Sequence, residues 1–96
     1  MAEKFKPLIH YNSDSLHIKL RGGFDPEAAT QLIRLIASYR RTFKKIFVHT
    51  SFLDSIDAAG TDAFKHGFAL PLDDMDAVVF TGDNAERIAP FVWQVL

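Results

Sequence analysis

The sequence contains no cysteine among its 96 residues. This absence excludes a disulfide framework, a thiolate zinc site and a cysteine nucleophile. An excess of charge of either sign is also missing, because 11 Lys+Arg oppose 12 Asp+Glu. Since nucleic-acid-binding domains usually have a basic excess, we expect no nucleic-acid partner.

The chain also lacks long apolar runs and linkers. No run approaches the ~20 residues that a membrane-spanning helix needs, and no apolar segment typical of a signal peptide follows Lys4 and Lys6. No internal repeat and no stretch rich in proline, glycine and serine divides the sequence. We therefore expect a single domain over residues 1–96, located in the cytoplasm and not inserted in a membrane.

An apolar content of 48% and a charged content of 24% indicate a folded domain with one modest core. Residues 8–11 form a short apolar run, and residues 16–21 alternate between apolar and polar side chains. Four turn-forming residues, 12–15, separate the two segments. This pattern predicts a β-hairpin, and we expect Gly22 and Gly23 to end its second strand.

A strong helix start follows the hairpin. Asp25 can cap the helix with its carboxylate, and Pro26 suits the first helical position. Apolar side chains then recur at helical spacing, at Ala29, Leu32, Ile33, Ile36 and Tyr39. The spacing predicts an amphipathic helix with one face on the core.

Two further strands and a second helix are predicted in the middle of the chain. Residues 46–48 and 77–81 are continuous apolar runs, which are typical of strands buried on both faces. Between them, Asp57 is placed to cap a helix that runs from residue 58 to about residue 68.

The chain is expected to end in a third helix, capped by residues 82–84 and kinked or split by Pro90. Its apolar residues would be Ile88, Ala89, Val92 and Val95. The resulting order β-β-α-β-α-β-α predicts an α/β domain, a mixed sheet with an N-terminal hairpin and helices packed against it. Sites in such folds lie in loops outside the carboxyl ends of the strands, here residues 22–25, 49–57 and 81–84.

The order of elements and the residues at their joints resemble the STAS domain. This family includes bacterial anti-sigma factor antagonists and the cytoplasmic domains of sulfate transporters. The segment 16–20 followed by Gly22 and Asp25 looks like the family's strand, glycine and aspartate before its first helix. Residues 52–60, which end in Ile-Asp-Ala-Ala-Gly, look like its switch loop, usually apolar-Asp-Ser-Ser/Thr-Gly. The resemblance implies a STAS-like fold over nearly the whole chain.

The switch loop departs from the family pattern. The family's phosphorylatable serine falls on Ala58, and the next position, often Ser or Thr, falls on Ala59. Neither alanine can accept a phosphate, so we expect no phosphorylation at the family's position. We also expect none at the neighbouring hydroxyls of Ser55 and Thr61. Residues 46–48 look like the family's central strand. The position after it, commonly Asp in the family, is His49.

The resemblance implies a non-catalytic module that binds other proteins, such as a kinase-type anti-sigma factor or a signalling scaffold. The surface would combine the start of the first helix, the switch loop and the helix that follows. The expected partner-binding residues are Phe24, Asp25, Ser55, Asp57, Ala58, Ala59, Gly60, Thr61 and Phe64.

The sequence signals for catalysis and metal binding are weaker than those for protein binding. The histidines are His10, His17, His49 and His66. Their spacing fits no metal-ligand motif, although His49 lies at the end of the central strand, where sites are favoured. No nucleophile elbow, dinucleotide fingerprint or P-loop is present. We therefore expect no catalytic residue, no metal and no cofactor.

Two other functions stay open. Some STAS domains are accessory subunits of membrane transport complexes, and this chain could dock on an ABC-type ATPase. The helix starts at Asp57 and Asn84 could instead bind a nucleotide or a small anion, although carboxylates at the caps oppose it.

Overall fold

The computed structural model describes residues 4–67, 77–89 and 94–95. In chain order the elements are β1 (Lys6–Tyr11), β2 (Ser15–Phe24), α1 (Pro26–Tyr39), β3 (Lys45–His49), β4 (Leu53–Ile56), α2 (Ala58–Gly67), β5 (Val78–Thr81), α3 (Ala85–Ile88) and β6 (Gln94–Val95). No helix in these three ranges has the length and apolar character needed to cross a membrane.

The strands form one mixed sheet in the order β1-β2-β3-β5-β6, with β4 paired to the end of β2. β1 is antiparallel to β2, and the other pairs are parallel. The hairpin turns at Asn12, whose Oδ1 accepts from the backbone N–H groups of Asp14 and Ser15 at 3.1 and 2.9 Å. The predicted α/β fold with an N-terminal hairpin is therefore confirmed.

The second strand does not end at the two glycines. Gly22 has a φ of 85°, a backbone conformation that glycine adopts without steric cost. The register shifts between Gly22 and Gly23, and the strand continues to Phe24 paired with β4. β4 was not predicted, because its four residues include the polar Asp54 and Ser55 and show no alternation.

One face of the sheet packs against the three helices to form the core. Its residues are Leu16, Ile18, Leu20, Phe24, Ala28, Ala29, Leu32, Ile36, Ile46, Val48, Phe64, Val78, Phe80, Ala85, Ile88 and Ala89. The ring of Phe64 meets those of Phe24 and Phe80 edge to face, at centroid distances of 6.1 and 5.8 Å. This aromatic chain fixes α2 against the sheet, since each such pair adds about 0.5–1.5 kcal/mol beyond area burial.

The opposite face of the sheet, which we call the open face, is only partly covered. Ile46 and Val48 of β3 are fully buried in the core, whereas Phe47 between them is half-buried. Successive strand residues point to opposite faces, and the buried residues of all three helices belong to the core side. The expectation that β3 is buried on both faces is therefore wrong.

The third helix is shorter than predicted. α3 ends at Ile88, and Ala89 has a ψ of 136°, the extended conformation that a following proline imposes on its predecessor. Val95, expected on the helix, belongs to β6, which runs parallel to β5. Pro90 and Val92 lie outside the described residues, as does Phe68 at the expected end of α2.

Candidate functional site

The start of α1 lies at the carboxyl end of β2. Asp25 occupies the N-cap with extended backbone, and its Oδ1 accepts from the backbone N–H of Ala28 at 2.8 Å. Pro26 takes the first helical position, where a backbone N–H would have no helical partner. The cap predicted from the sequence is confirmed.

The start of α2 packs directly on this segment. The backbone N–H of Asp57 donates to the carbonyl oxygen of Phe24 at 3.0 Å. A Cβ added at Gly60 would contact that same oxygen and lie 2.9 Å from both the Cα and the carbonyl carbon of Asp25. A glycine at position 60 therefore allows the two helix starts to approach each other.

Asp57 behaves differently from the side-chain cap that the sequence predicted. Its carbonyl oxygen accepts from the backbone N–H of Thr61 at 3.1 Å, which places Asp57 at the N-cap position. Within residues 4–67, 77–89 and 94–95, its carboxylate makes no hydrogen bond to the helix. Asp57 is exposed, and it lines a cavity together with Asp25.

This cavity has a volume of about 300 Å³. Its lining residues are Lys4, Phe5, Gly23, Phe24, Asp25, Glu27, Ala28, Gln31, Ser55 and Asp57. Two of the lining residues are aromatic: Phe5 is half-buried, Phe24 has only 1% of its surface exposed, and their rings meet edge to face at a centroid distance of 6.0 Å. Among the described residues, three exposed acidic residues and one exposed lysine line the cavity, so these groups together carry a net negative charge.

Several predicted site residues come together around this cavity. Asp25, Ser55 and Asp57 line it directly. Ala58 and Ala59, in the first turn of α2, are exposed beside it.

Four other predicted residues cannot offer their side chains freely to a partner. Phe24 and Phe64 have 1% and 0% of their surface exposed, and Gly60 is buried between the helix starts. The Thr61 hydroxyl donates to the carbonyl oxygen of Ala58 at 3.0 Å, and Thr61 is half-buried. Phe24, Phe64 and Gly60 therefore lie beneath the exposed surface of the two helix starts.

The anion-binding alternative finds little electrostatic support at either helix start. The cavity beside α2 is lined by three carboxylates, which repel an anion. At α3, Asn84 makes no side-chain cap bond, and its Nδ2 donates to the carbonyl oxygen of Thr50 at 3.2 Å. The described ranges contain no group of three or more His, Asp or Glu that could hold a metal ion.

A second polar cluster lies on the open face. His17, on β2, contacts His49, on β3, with 2.9 Å between Nδ1 and Nε2. Nδ1 of His49 lies 2.6 Å from Oγ1 of Thr81 on β5. Desolvation by burial, followed by repulsion from His17 and Lys19, lowers the pKa of His49. The sequence singled out His49 but not its partners.

No protein-family model and no curated protein sequence matches the chain. Its structure is similar to that of the anti-sigma factor antagonist SpoIIAA in its unphosphorylated form, with a TM-score of 0.61. The match covers 97% of this chain and 87% of the other at 14% sequence identity. At this identity the likeness establishes the fold alone, and the STAS-like fold implied by the sequence is confirmed.

Proposed function

We propose that the chain is a non-catalytic regulatory module that binds a protein partner at the rim of the acidic cavity. The observation that carries this proposal is the convergence of Asp25, Ser55 and Asp57 on one cavity. These residues are at positions that the resemblance to the STAS domain implies for partner binding, and they come from two segments separated by about thirty residues of sequence. Similarity to an anti-sigma factor antagonist supports the same class of function.

The chemistry of the rim defines the partner's contact surface. Asp25, Glu27 and Asp57 are exposed and line the cavity, so the partner would present lysine or arginine side chains to them. Ala58 and Ala59 carry only a methyl group each and lie exposed next to these carboxylates. A partner backbone can therefore approach the first turn of α2 closely.

In this proposal the surface works without a phosphorylation switch at position 58. The solved relative is described in an unphosphorylated form, whereas Ala58 has no hydroxyl to modify. A phosphate at this site would add about −1.5 to −2 charge to a surface that is already acidic. Its absence leaves the charge of the rim constant, so partner binding would depend on concentrations or on a signal at the partner.

We propose a kinase-type anti-sigma factor or a signalling scaffold protein as the partner, in the cytoplasm of a bacterial cell. The test is calorimetric titration of the chain with the purified anti-sigma factor encoded beside it. An ABC-type ATPase serves as a second titrant, and binding to it alone would assign the chain to a transport complex instead.

Two variants test whether the proposed surface is used. Asp57→Lys and Ala59→Arg, both at exposed positions, should each weaken binding by about tenfold or more, since 1.4 kcal/mol corresponds to a factor of ten. Arg41→Glu, exposed and outside the cavity lining, is the matched charge-changing control. Binding that tolerates both rim variants would overturn the proposal. Gly60 is unsuitable for this test because a side chain there clashes with backbone.

A further inference from the structure

Phe52 is an exposed aromatic side chain in the turn before β4, with 54% of its surface in contact with solvent. The ammonium group of Lys19 lies 5.8 Å from the centroid of its ring. Lys19 is itself exposed and belongs to the open face. Phe52 and Lys19 together form a projecting aromatic group with a positive charge at its side, which we call the knob.

The acidic cavity is concave and negatively charged, whereas the knob is exposed and positively charged. Its apolar lining includes Phe5, which is half-buried, and the acidic residues Asp25, Glu27 and Asp57 line it as well. Lys4 is the one cation among the lining residues that the structure describes. A volume of about 300 Å³ is at the lower end of the range for small-ligand clefts, and it is large enough for one aromatic side chain.

The knob and the cavity are therefore complementary in charge, and the cavity is large enough for the ring. Burying the exposed ring of Phe52 against apolar lining such as Phe5 is favourable, and the carboxylates would pair with the lysine beside it. We propose that the cavity of one copy of this chain receives Phe52 and Lys19 of a second copy. This proposal is independent of the protein partner, because the chain alone can test it.

Each copy carries both a knob and a cavity, so the contact could form either within one chain or between two copies. Ser55 lines the cavity and is three residues beyond Phe52 in the chain, a separation of roughly 10 Å along a strand. Within one chain the ring of Phe52 lies beside Lys19, and Phe52 is not among the described residues that line the cavity. The contact is therefore between copies, and it covers the rim that we propose for the protein partner.

Sedimentation velocity tests the proposal with the full chain, from about 10 μM to about 1 mM. Reversible association should appear, and it should weaken at high ionic strength because charged side chains contribute to it. Phe52→Ala and Asp57→Lys should each weaken self-association by about tenfold or more. Tyr11→Ala is the matched control, since Tyr11 is an aromatic residue with 73% exposure outside both surfaces.

A mixing experiment identifies the contact itself. A Phe52→Ala chain keeps its cavity but has no knob, and an Asp57→Lys chain keeps its knob but has an impaired cavity. When the two variants are mixed, the intact cavity and the intact knob should combine into a 1:1 complex, whereas each variant alone should associate about tenfold or more weakly than the wild type. A chain that stays monomeric throughout, or one in which Tyr11→Ala has the same effect as Phe52→Ala, would overturn the proposal.

Discussion

The imidazole rings of His17, on β2, and His49, on β3, are nearly coplanar and contact each other edge to edge. Their planes differ by only 4°, their centroids are 5.2 Å apart, and Nδ1 of His17 lies 2.9 Å from Nε2 of His49. In this hydrogen bond one ring nitrogen donates its N–H and the other, which carries no proton, accepts it. The contact therefore requires at least one ring to be neutral, and it is lost when both rings are cationic.

Acidification is expected to destabilise the fold through His49, whose pKa is lowered from 6.5 by burial, His17 and Lys19. Below about pH 6.5 the unfolded chain therefore binds more protons than the folded chain. The stabilising contribution is present above that pH and is lost as the pH falls through the lowered pKa. Urea denaturation should show a smaller decline between about pH 7.5 and pH 5 for His49→Gln than for the wild type. Equal declines would contradict this, and His10→Gln, at an exposed position, is the control.

Gly60→Ala should lower the free energy of unfolding by about 1–3 kcal/mol, the usual effect of overpacking. The new Cβ would lie against the backbone of Phe24 and Asp25, which cannot move without displacing α1. Gly67→Ala is the matched control, because its Cβ would meet only the flexible end of Ile33 at 3.1 Å. Its stability should stay within about 1 kcal/mol of the wild type. Similar losses for both variants would show that the two helix starts do not depend on this contact.

The two helix starts should respond differently to loss of their aspartates. Asp25→Ala removes a hydrogen bond to the N–H of Ala28 and should cost about 1 kcal/mol in stability. Asp57→Ala removes a carboxylate that makes no such bond among the described residues, so its cost should be within about 0.5 kcal/mol. Chemical denaturation of both variants measures the difference, and a larger loss for Asp57→Ala would contradict the assignment.

Phe64→Ala should reduce stability by about 3–5 kcal/mol, because it leaves a cavity between the rings of Phe24 and Phe80. Phe52→Ala serves as the comparison, since an exposed ring contributes little to the folded state. If Phe64→Ala left stability intact but abolished partner binding, Phe64 would be a surface contact after all.

A serine introduced by Ala58→Ser should become a substrate for a kinase-type anti-sigma factor, since position 58 is exposed in the first turn of α2. The wild-type loop should remain unmodified under the same conditions. Mass spectrometry after incubation with the kinase and ATP reads both results. A phosphate mapped to Ser55 or Thr61 of the wild type would contradict the absence of a switch in this loop.

Local patterns predicted much of the fold. Alternation at Leu16, Ile18 and Leu20 gave the correct buried face of β2, and the Asp25-Pro26 pair marked the start of α1. The strands that were missed, β4 and β6, have four and two residues, too few for a periodic signal. They are stabilised by pairing with a neighbouring strand, which a local pattern does not reveal.

In the candidate site, too, local sequence located some residues, whereas their contacts depend on residues that are distant in sequence. Asp57 and Gly60 could be located by the order of residues in the loop, but their separate roles depend on the backbone of Phe24, which is distant in sequence. His17 and His49 are 32 residues apart. Their contact follows from the parallel register of β2 and β3, in which Lys19 is opposite His49. Register between strands joined by a helix is not encoded in either strand alone.

The position of β2 also constrains the order in which the sheet can form. This strand pairs with β1, β3 and β4, but only β1 is its neighbour along the chain. The hairpin is a local structure that can close within about 1–10 μs, whereas β3 and β4 must wait until the intervening helix has closed a longer loop. During synthesis, a ribosome that has released only the first hairpin has therefore already produced the template on which the later parallel strands assemble.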